Sequence, residues 1–308
     1  MTEREIIDWL LKGDVSIQYQ TERDLLQHKK TSLQKKIESE GWGAKFLSYR
    51  NANGHWAKAF YSPKWISTHY TLLDLKNLGI SPKQKLIKES LNVIFKNEKG
   101  PDGGIRPIGP NKLSDVCLNG MVLNYSAYFK VPEKDLKSVV DFILSEKMKD
   151  GGFNCQLNRK GAVHSSLHST LSVLEGILEY EKAAYTYKLN ELREVKRTAQ
   201  EFILMHHLFR SDKSGEIIHP NFLKFYYPSR WYYDVLKAMD YFQASNSPYD
   251  ARMQETLDYI LKKRNKVGLW NLASAHPGLR HFDMEQAGKA SRWNTLRALR
   301  VLNHYKKL

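Results

Sequence analysis

Five glycine turns recur along this 308-residue chain, and no other feature restricts its fold as strongly. They open "GHWAKAFYSPKWISTHYTLLDLKNLG" at Gly54, "GGIRPIGPNKLSDVCLNGMVLNYSAYF" at Gly103 and "GGFNCQLNRKGAVHSSLHSTLSVLEGILEY" at Gly151. Two more open "GEIIHPNFLKFYYPSRWYYDVLKAMDYF" at Gly215 and "GLWNLASAHPGLRHFDMEQAGKASRWNTLRALRVLNHY" at Gly268. The starts lie 49, 48, 64 and 53 residues apart, so one supersecondary unit repeats, with an insertion in the third. Each unit has the same plan: a glycine turn, a polar loop holding Pro or Gly, then an apolar helix.

Between these units lie amphipathic helices such as "SPKQKLIKESLNVIFKN" and "PEKDLKSVVDFILSEKMK", whose apolar residues return at three- and four-residue steps. The helices after the polar loops carry few charges and several aromatics, as helices packed on most sides do, whereas the intervening ones keep one wet face. The pattern predicts an all-α chain of six inner and six outer helices. Inner helices are expected over 16–27, 65–78, 115–129, 163–181, 229–243 and 290–305, and outer ones over 3–12, 31–49, 82–97, 133–148, 187–209 and 249–264. Equal numbers in alternation stack as an open solenoid or close into a ring, and periodicity alone does not choose. Closure would bring every polar loop that precedes an inner helix to one mouth. A single domain over 1–308 is expected, with 1–50 its least repeat-like part.

Hydrophobic content of 42% is that of a folded globule, and no apolar run approaches the ~20 residues of a bilayer span. The start "MTEREIIDWLLKGD" mixes acid and base, reads as a helix and lacks the features of a secretion signal. Two cysteines, Cys117 and Cys155, are too few for a disulfide scaffold and fit a reducing compartment, so a cytoplasmic protein is expected. The net charge of +15 is spread over helical segments such as "LQHKKTSLQKK" and "LKKRNK". Such charge serves either a face that docks polyanions or a solvated lysine-rich surface; no run has the interleaved aromatics of a single-strand groove.

Both cysteines fall in polar loops beside other metal-ligating residue types. Asp115 and Cys117 straddle a helix start, and Cys155, His164 and His168 follow in the next repeat, the two histidines four apart on one expected helix face. Thiolate, imidazole and carboxylate are the ligands zinc prefers, and an open coordination position lowers the pKa of a bound thiol or water. Structural roles are the alternative: Asp115 as an N-cap, the cysteines as small buried hydrophobes, the histidines as hydrogen-bonded core residues.

The glycine-turn repeats and the inner-outer alternation from Gly54 to Tyr305 resemble the α6/α6 toroid of protein prenyltransferase β-subunits and of triterpene cyclases such as squalene-hopene cyclases. Within that resemblance "GGIRPIGPNKLSDVC" is similar to the prenyltransferase stretch that supplies an Asp-x-Cys pair of zinc ligands, implying Asp115 and Cys117. The next repeat of the family supplies a His at the equivalent of the Cys, implying His164, since Cys117 lies thirteen residues past Gly104 and His164 twelve past Gly152. Lys112 matches a lysine that faces the prenyl diphosphate. Leu118 stands where the family has a diphosphate-contacting Tyr, Arg106 lies three places before the family's Arg, and no two aspartates are adjacent as class II cyclases require.

Trp65, Tyr70, Tyr125, Trp231, Tyr232, Tyr233 and Trp293 fall on or just before inner helices, where aromatic rings either line a central cavity or pack the core. Lys224 and Arg230 are candidates for an anionic headgroup, and His276, Arg280, His281, Asp283 and Glu285 cluster in one loop. Two functions follow. The chain is a prenyltransferase- or cyclase-like enzyme, zinc-dependent, acting on an isoprenoid diphosphate or other hydrophobic small molecule. Alternatively it is a non-catalytic toroid scaffold whose basic surface binds an acidic protein or nucleic acid.

Overall fold

The structure, a computed structural model, describes residues 1–107, 113–274 and 276–307. The helices in chain order are α1 (Glu3–Leu11), α2 (Val15–Asp24), α3 (Thr31–Lys36), α4 (Gly41–Ser48), α5 (Thr68–Leu78), α6 (Lys85–Asn97) and α7 (Val116–Tyr128). There follow α8 (Glu133–Ser145), α9 (Leu157–Lys160), α10 (Leu167–Lys182), α11 (Leu189–Met205), α12 (Val235–Ala244), α13 (Gln254–Lys262) and α14 (Arg292–His304). Extended pairing among the described residues is confined to isolated bridges, so the fold is all-α. No helix among them is long and apolar enough to cross a membrane.

Two compact units divide the chain. Met1–Ser48, Asn77–Ser81 and His206–Leu308 form the first, and Tyr49–Lys76 with Pro82–Met205 the second.

The glycine turns are one recurrent hairpin. At Gly54 the Asn51 N–H donates to the His55 carbonyl at 2.8 Å and the Gly54 N–H returns to the Asn51 carbonyl at 3.1 Å; the same pair of bonds recurs at Gly103, Gly151 and Gly268. These four glycines have φ between +87° and +94°, a region any Cβ disfavours, which is why the position is glycine each time. Gly215 closes a hairpin one residue longer, through Ser211 and Glu216. The residue two past the glycine then donates its N–H to a side chain on the next inner helix. The pairs are Trp56 to Thr68 Oγ1 at 3.0 Å, Ile105 to Asn119 Oδ1 at 2.7 Å, Phe153 to Thr170 Oγ1 at 3.0 Å and Trp270 to Thr295 Oγ1 at 3.1 Å. A short polar side chain at the start of each of these four inner helices thus satisfies a buried loop donor and fixes the helix register.

Burial separates the two helix kinds as the pattern predicts. Nearly every residue of α7 is buried, whereas α8 buries only Leu136, Val139, Val140, Phe142 and Ile143. Within the second unit α7 and α10 run parallel in contact, backbone against backbone. A Cβ on Gly120 would stand 2.6 Å from the Ser172 carbonyl oxygen, and one on Gly176 would stand 2.4 Å from that of Gly120.

Several expected boundaries differ by three to five residues, such as 187–209 against Leu189–Met205 and 249–264 against Gln254–Lys262, and three differences bear on the site. The span 31–49 is two helices, α3 and α4, because Gly41 takes φ +64° and the Trp42 N–H caps onto Asp14 Oδ2 at 2.8 Å. Residues 229–234 precede α12, held in a turn by Arg230 at φ +55° and by Asp234, which accepts the Lys237 N–H at 2.8 Å as N-cap. Finally, α10 begins at Leu167, so His164 and His168 do not share a helix face: His164 lies on the loop before it and His168 is its second residue.

Candidate functional site

The head of α7 gathers both cysteines of the chain. Cys155 is carried on the loop after Gly151, where its N–H donates to Ser169 Oγ at 3.1 Å, in the first turn of α10. Ser169 lies one turn before Ser172, and Cys117 one turn before Gly120, the residue that touches Ser172. Parallel packing therefore brings the Cys155 thiol into hydrogen-bonding reach of the Cys117 thiol, with the Asp115 carboxylate beside them. The Cys155 thiol, burial and the Asp115 charge together push the Cys117 thiol well above its usual range, so it is protonated at neutral pH. Neither cysteine is in a disulfide, and both are half-buried.

The two repeats align through the serines that Asp102 and Asp150 bind, and this corrects the equivalence counted from the glycines. Asp102 accepts Ser114 N at 2.7 Å and Ser114 Oγ at 2.8 Å; Asp150 accepts Ser165 N at 2.7 Å and Ser165 Oγ at 2.5 Å. Three residues past each serine stand Cys117 and His168. The counterpart of Cys117 is therefore His168, and the count from Gly152 to His164 fails because the polar loop of the later repeat is three residues longer. His164 is exposed, its carbonyl accepting Asn154 Nδ2 at 2.8 Å. Counting back two from the Thr and Asn acceptors gives the same repeat position as Ile66, Cys117, His168 and Trp293. Among the described residues no three His, Cys, Asp or Glu side chains are gathered closely enough to hold a metal ion. Two thiols beside a carboxylate are nonetheless a donor set of the right chemistry for zinc. Lys112 lies outside the described residues.

A second cluster in the same unit surrounds a histidine that the sequence reading passed over. His69, fully buried, sits among Phe60, Tyr61, Tyr70 and Tyr125 with ring centroids 4.7–5.7 Å away. Its Nδ1 pairs with the Tyr125 hydroxyl at 3.2 Å, while Nε2 meets no partner among the described residues. Burial, with a smaller contribution from the charge of Lys64, lowers its pKa to about 3 and keeps it neutral. Tyr70 and Tyr125 are thus rings of a packed cluster, with Trp65 against Tyr70 at 4.9 Å.

The first unit holds a cleft of about 430 Å³, within the usual range of small-molecule sites. Tyr226, Tyr227, Leu272, Phe282 and Met284 supply its apolar wall, and Arg230, His276, Arg280, Asp283, Glu285 and Gln286 its polar groups. Arg230 is 8% exposed, its left-handed backbone held by Lys237 Nζ, which donates to the Arg230 carbonyl at 3.0 Å. A non-glycine residue there costs on the order of 1 kcal/mol, so the surroundings determine where this guanidinium sits.

Behind the wall, Trp231, Tyr232 and His276 form a stack with centroids 4.1 and 3.6 Å apart, and Trp293 stacks on Tyr227 at 4.4 Å. Burial and the nearby Arg230 lower the His276 pKa to about 4, and its Nε2 has no partner among the described residues. Of the expected substrate residues only Arg230 lines the cleft; Tyr232 and Trp293 reach it through their ring contacts with His276 and Tyr227, Trp231 stacks on Tyr232, and Lys224 is exposed and outside the lining. Of the loop cluster, His276, Arg280, Asp283 and Glu285 line the cleft and His281 does not. Arg280 pairs with Asp283 at 3.0 Å, His281 packs its edge on Phe46, and Glu285 accepts the Arg292 N–H at 2.6 Å at the start of α14.

Beneath the cleft runs a buried charge chain. Arg297 donates to the Tyr226 carbonyl at 3.3 Å and lies 3.9 Å from Asp234 and 3.4 Å from Asp240; Arg300 joins Asp240 at 3.1 Å and Asp24 at 2.8 Å. Burial raises the Asp234 pKa against the opposing pull of Arg297. Neither the chain of pairs nor His69 leaves a local sequence signal, because each depends on which helices meet. In comparison with known proteins, the chain matches no protein-family model and no curated protein.

Proposed function

We propose that this chain is a prenyltransferase- or terpenoid-cyclase-like protein that takes a hydrophobic substrate with an anionic head, of the isoprenoid diphosphate kind. The observation that carries this reading is the cleft: an aromatic and aliphatic wall for an apolar chain, and the Arg230 guanidinium for an anion, beside an Arg280 that already pairs with Asp283. The reading includes closure of the six inner and six outer helices into a toroid. It is supported by packing of α14, the last inner helix, on α2, the first, and by the Gly268 turn, where a Cβ would meet Ile6 of α1 at 3.5 Å. The three earlier turns at Gly54, Gly103 and Gly151 meet the next outer helix in the same way, through Val93, Ser138 and Thr198.

Zinc belongs to this reading at the head of α7, held by Asp115, Cys117 and Cys155, with His168 as the counterpart of Cys117. When bound it would supply a Lewis acid that keeps a thiol or water ionised at neutral pH. The raised pKa of the Cys117 thiol means that metal binding must displace its proton.

Calorimetric titration with farnesyl diphosphate tests the reading. Binding by the purified protein is expected, weakened at least tenfold in Arg230→Ala and near unity in stoichiometry. Metal analysis of the same sample is expected to give about one zinc per chain, lost in Cys117→Ala. Absence of farnesyl diphosphate binding together with salt-sensitive retention on heparin would overturn the reading in favour of a scaffold for an acidic protein or nucleic acid.

A further inference from the structure

We infer that His276 is a second anion-binding group of the cleft, an imidazole that takes up a proton as a phosphate-type anion settles beside Arg230. This rests on the reading of the cleft as an anion site and adds the residue that answers the anion's charge.

The imidazole is clamped on both faces. Tyr232 lies 3.6 Å from it, centroid to centroid, at an interplanar angle of 13°, and Tyr226 lies 4.0 Å away at 32°. Two phenol rings on one face of an imidazole at those separations would interpenetrate, so the ring is sandwiched between them. A ligand in the cleft therefore meets His276 only at its edge, which carries the nitrogens, and Nε2 has no partner among the described residues. The sandwich holds the ring plane fixed, and the two phenol faces favour a cation between them.

The charges around the ring decide whether it becomes that cation. From the segment 226–234, Arg230 lines the cleft with it, and Asp234, whose charge reaches Tyr226, lies 3.9 Å from Arg297. From its own loop come Arg280, paired with Asp283, and Glu285, which accepts the Arg292 N–H. Each carboxylate thus has a donor or cation of its own. Burial and the Arg230 charge keep the imidazole neutral, with a pKa of about 4. A dianion at Arg230 reverses the sign of the charge beside the ring, and an opposite charge within about 4–6 Å favours the protonated form by roughly 1–3 in pKa. The imidazole then takes one proton from solvent and returns it when the anion leaves. By linkage, the same proton tightens the hold on the anion as pH falls toward 5.

The test is NMR of the full chain with 13C at histidine Cε1, titrated between pH 4 and pH 8 without and with saturating inorganic pyrophosphate. The His276 signal, the one of eleven that His276→Gln removes, is expected to titrate at least about one pH unit higher with pyrophosphate present. The ratio of the His276→Gln Kd for pyrophosphate to that of wild type is expected to grow roughly fivefold from pH 7.5 to pH 5, a comparison in which the probe's own titration cancels. Where that substitution unfolds the chain, Arg230→Gln is the second variant, and the His276 signal should titrate higher in it with no anion added. A His276 signal that pyrophosphate leaves in place, a Kd ratio that does not change with pH, or no pyrophosphate binding at either pH would each overturn the inference. A chain whose His276 answers pyrophosphate but which binds farnesyl diphosphate no more tightly keeps this inference and sinks the isoprenoid reading. Farnesyl diphosphate bound with the His276 titration unmoved does the reverse.

Discussion

Gly120 of α7 lies against the Ser172 carbonyl of α10 so closely that a methyl group between them would sit 2.6 Å from the oxygen. This one contact sets the spacing of the two helices and, one turn earlier, the meeting of the two thiols. Gly120→Ala raises intrinsic helix propensity by roughly 1 kcal/mol, and overpacking of a filled crossing costs about 1–3 kcal/mol. Because the obstructing atom is backbone, the second effect is expected to win. Thermal unfolding of the variant should show a midpoint several degrees below wild type; an unchanged or higher midpoint would mean that the helices separate freely.

The glycine spacing and the polarity of the helices were enough to anticipate an all-α repeat and nearly every helix. That success rests on local signals: a turn that demands positive φ at Gly54, Gly103, Gly151 and Gly268, and a period near 3.6 in between. What the sequence concealed depends on distance in space. The partnership of Cys117 with Cys155 follows from a parallel crossing at Gly120. Register within the repeat was misread at His164, because counting from the glycine ignores loop length. The local cue to the better register was the Asp-Gly-Gly of each turn together with the serine it caps, Ser114 and Ser165. At the cleft, the aromatics of "KFYYPSRWYY" were visible, whereas their stacking partner His276 is far along the chain.

The neutrality of His69 makes stability depend on acid. Its folded pKa is near 3, against 6.5 for an unperturbed imidazole, so below pH 6.5 the unfolded chain takes up a proton that the folded chain refuses. The stabilising contribution is complete above pH 6.5 and is lost as pH falls toward 3. Between pH 7.5 and pH 4.5 the wild type is expected to lose about 2–3 kcal/mol more than His69→Leu in urea unfolding. Equal losses in the two proteins would show that the imidazole gains access to water or a partner on protonation.

Arg297 is buried between Asp234 and Asp240; Asp240 also pairs with Arg300, whereas at Asp234 the charge of Lys237 adds less than that of Arg297. Replacing Arg297 with Leu strands Asp234 in a site that already raises its pKa, at an expected cost of about 3–5 kcal/mol. Adding Asp234→Asn removes the stranded charge, and the double variant should recover part of the loss in chemical denaturation. A double variant no more stable than Arg297→Leu would assign the cost to packing around Tyr226 instead.

Whether the cleft holds an apolar chain by its anionic end is tested most directly by a crystal structure with a non-hydrolysable farnesyl thiodiphosphate. The predicted result is a diphosphate within hydrogen-bonding distance of the Arg230 guanidinium and a chain lying along Tyr226, Tyr227 and Phe282. A cleft unchanged by the ligand at saturating concentration, or a ligand bound elsewhere with Arg230 untouched, would contradict it.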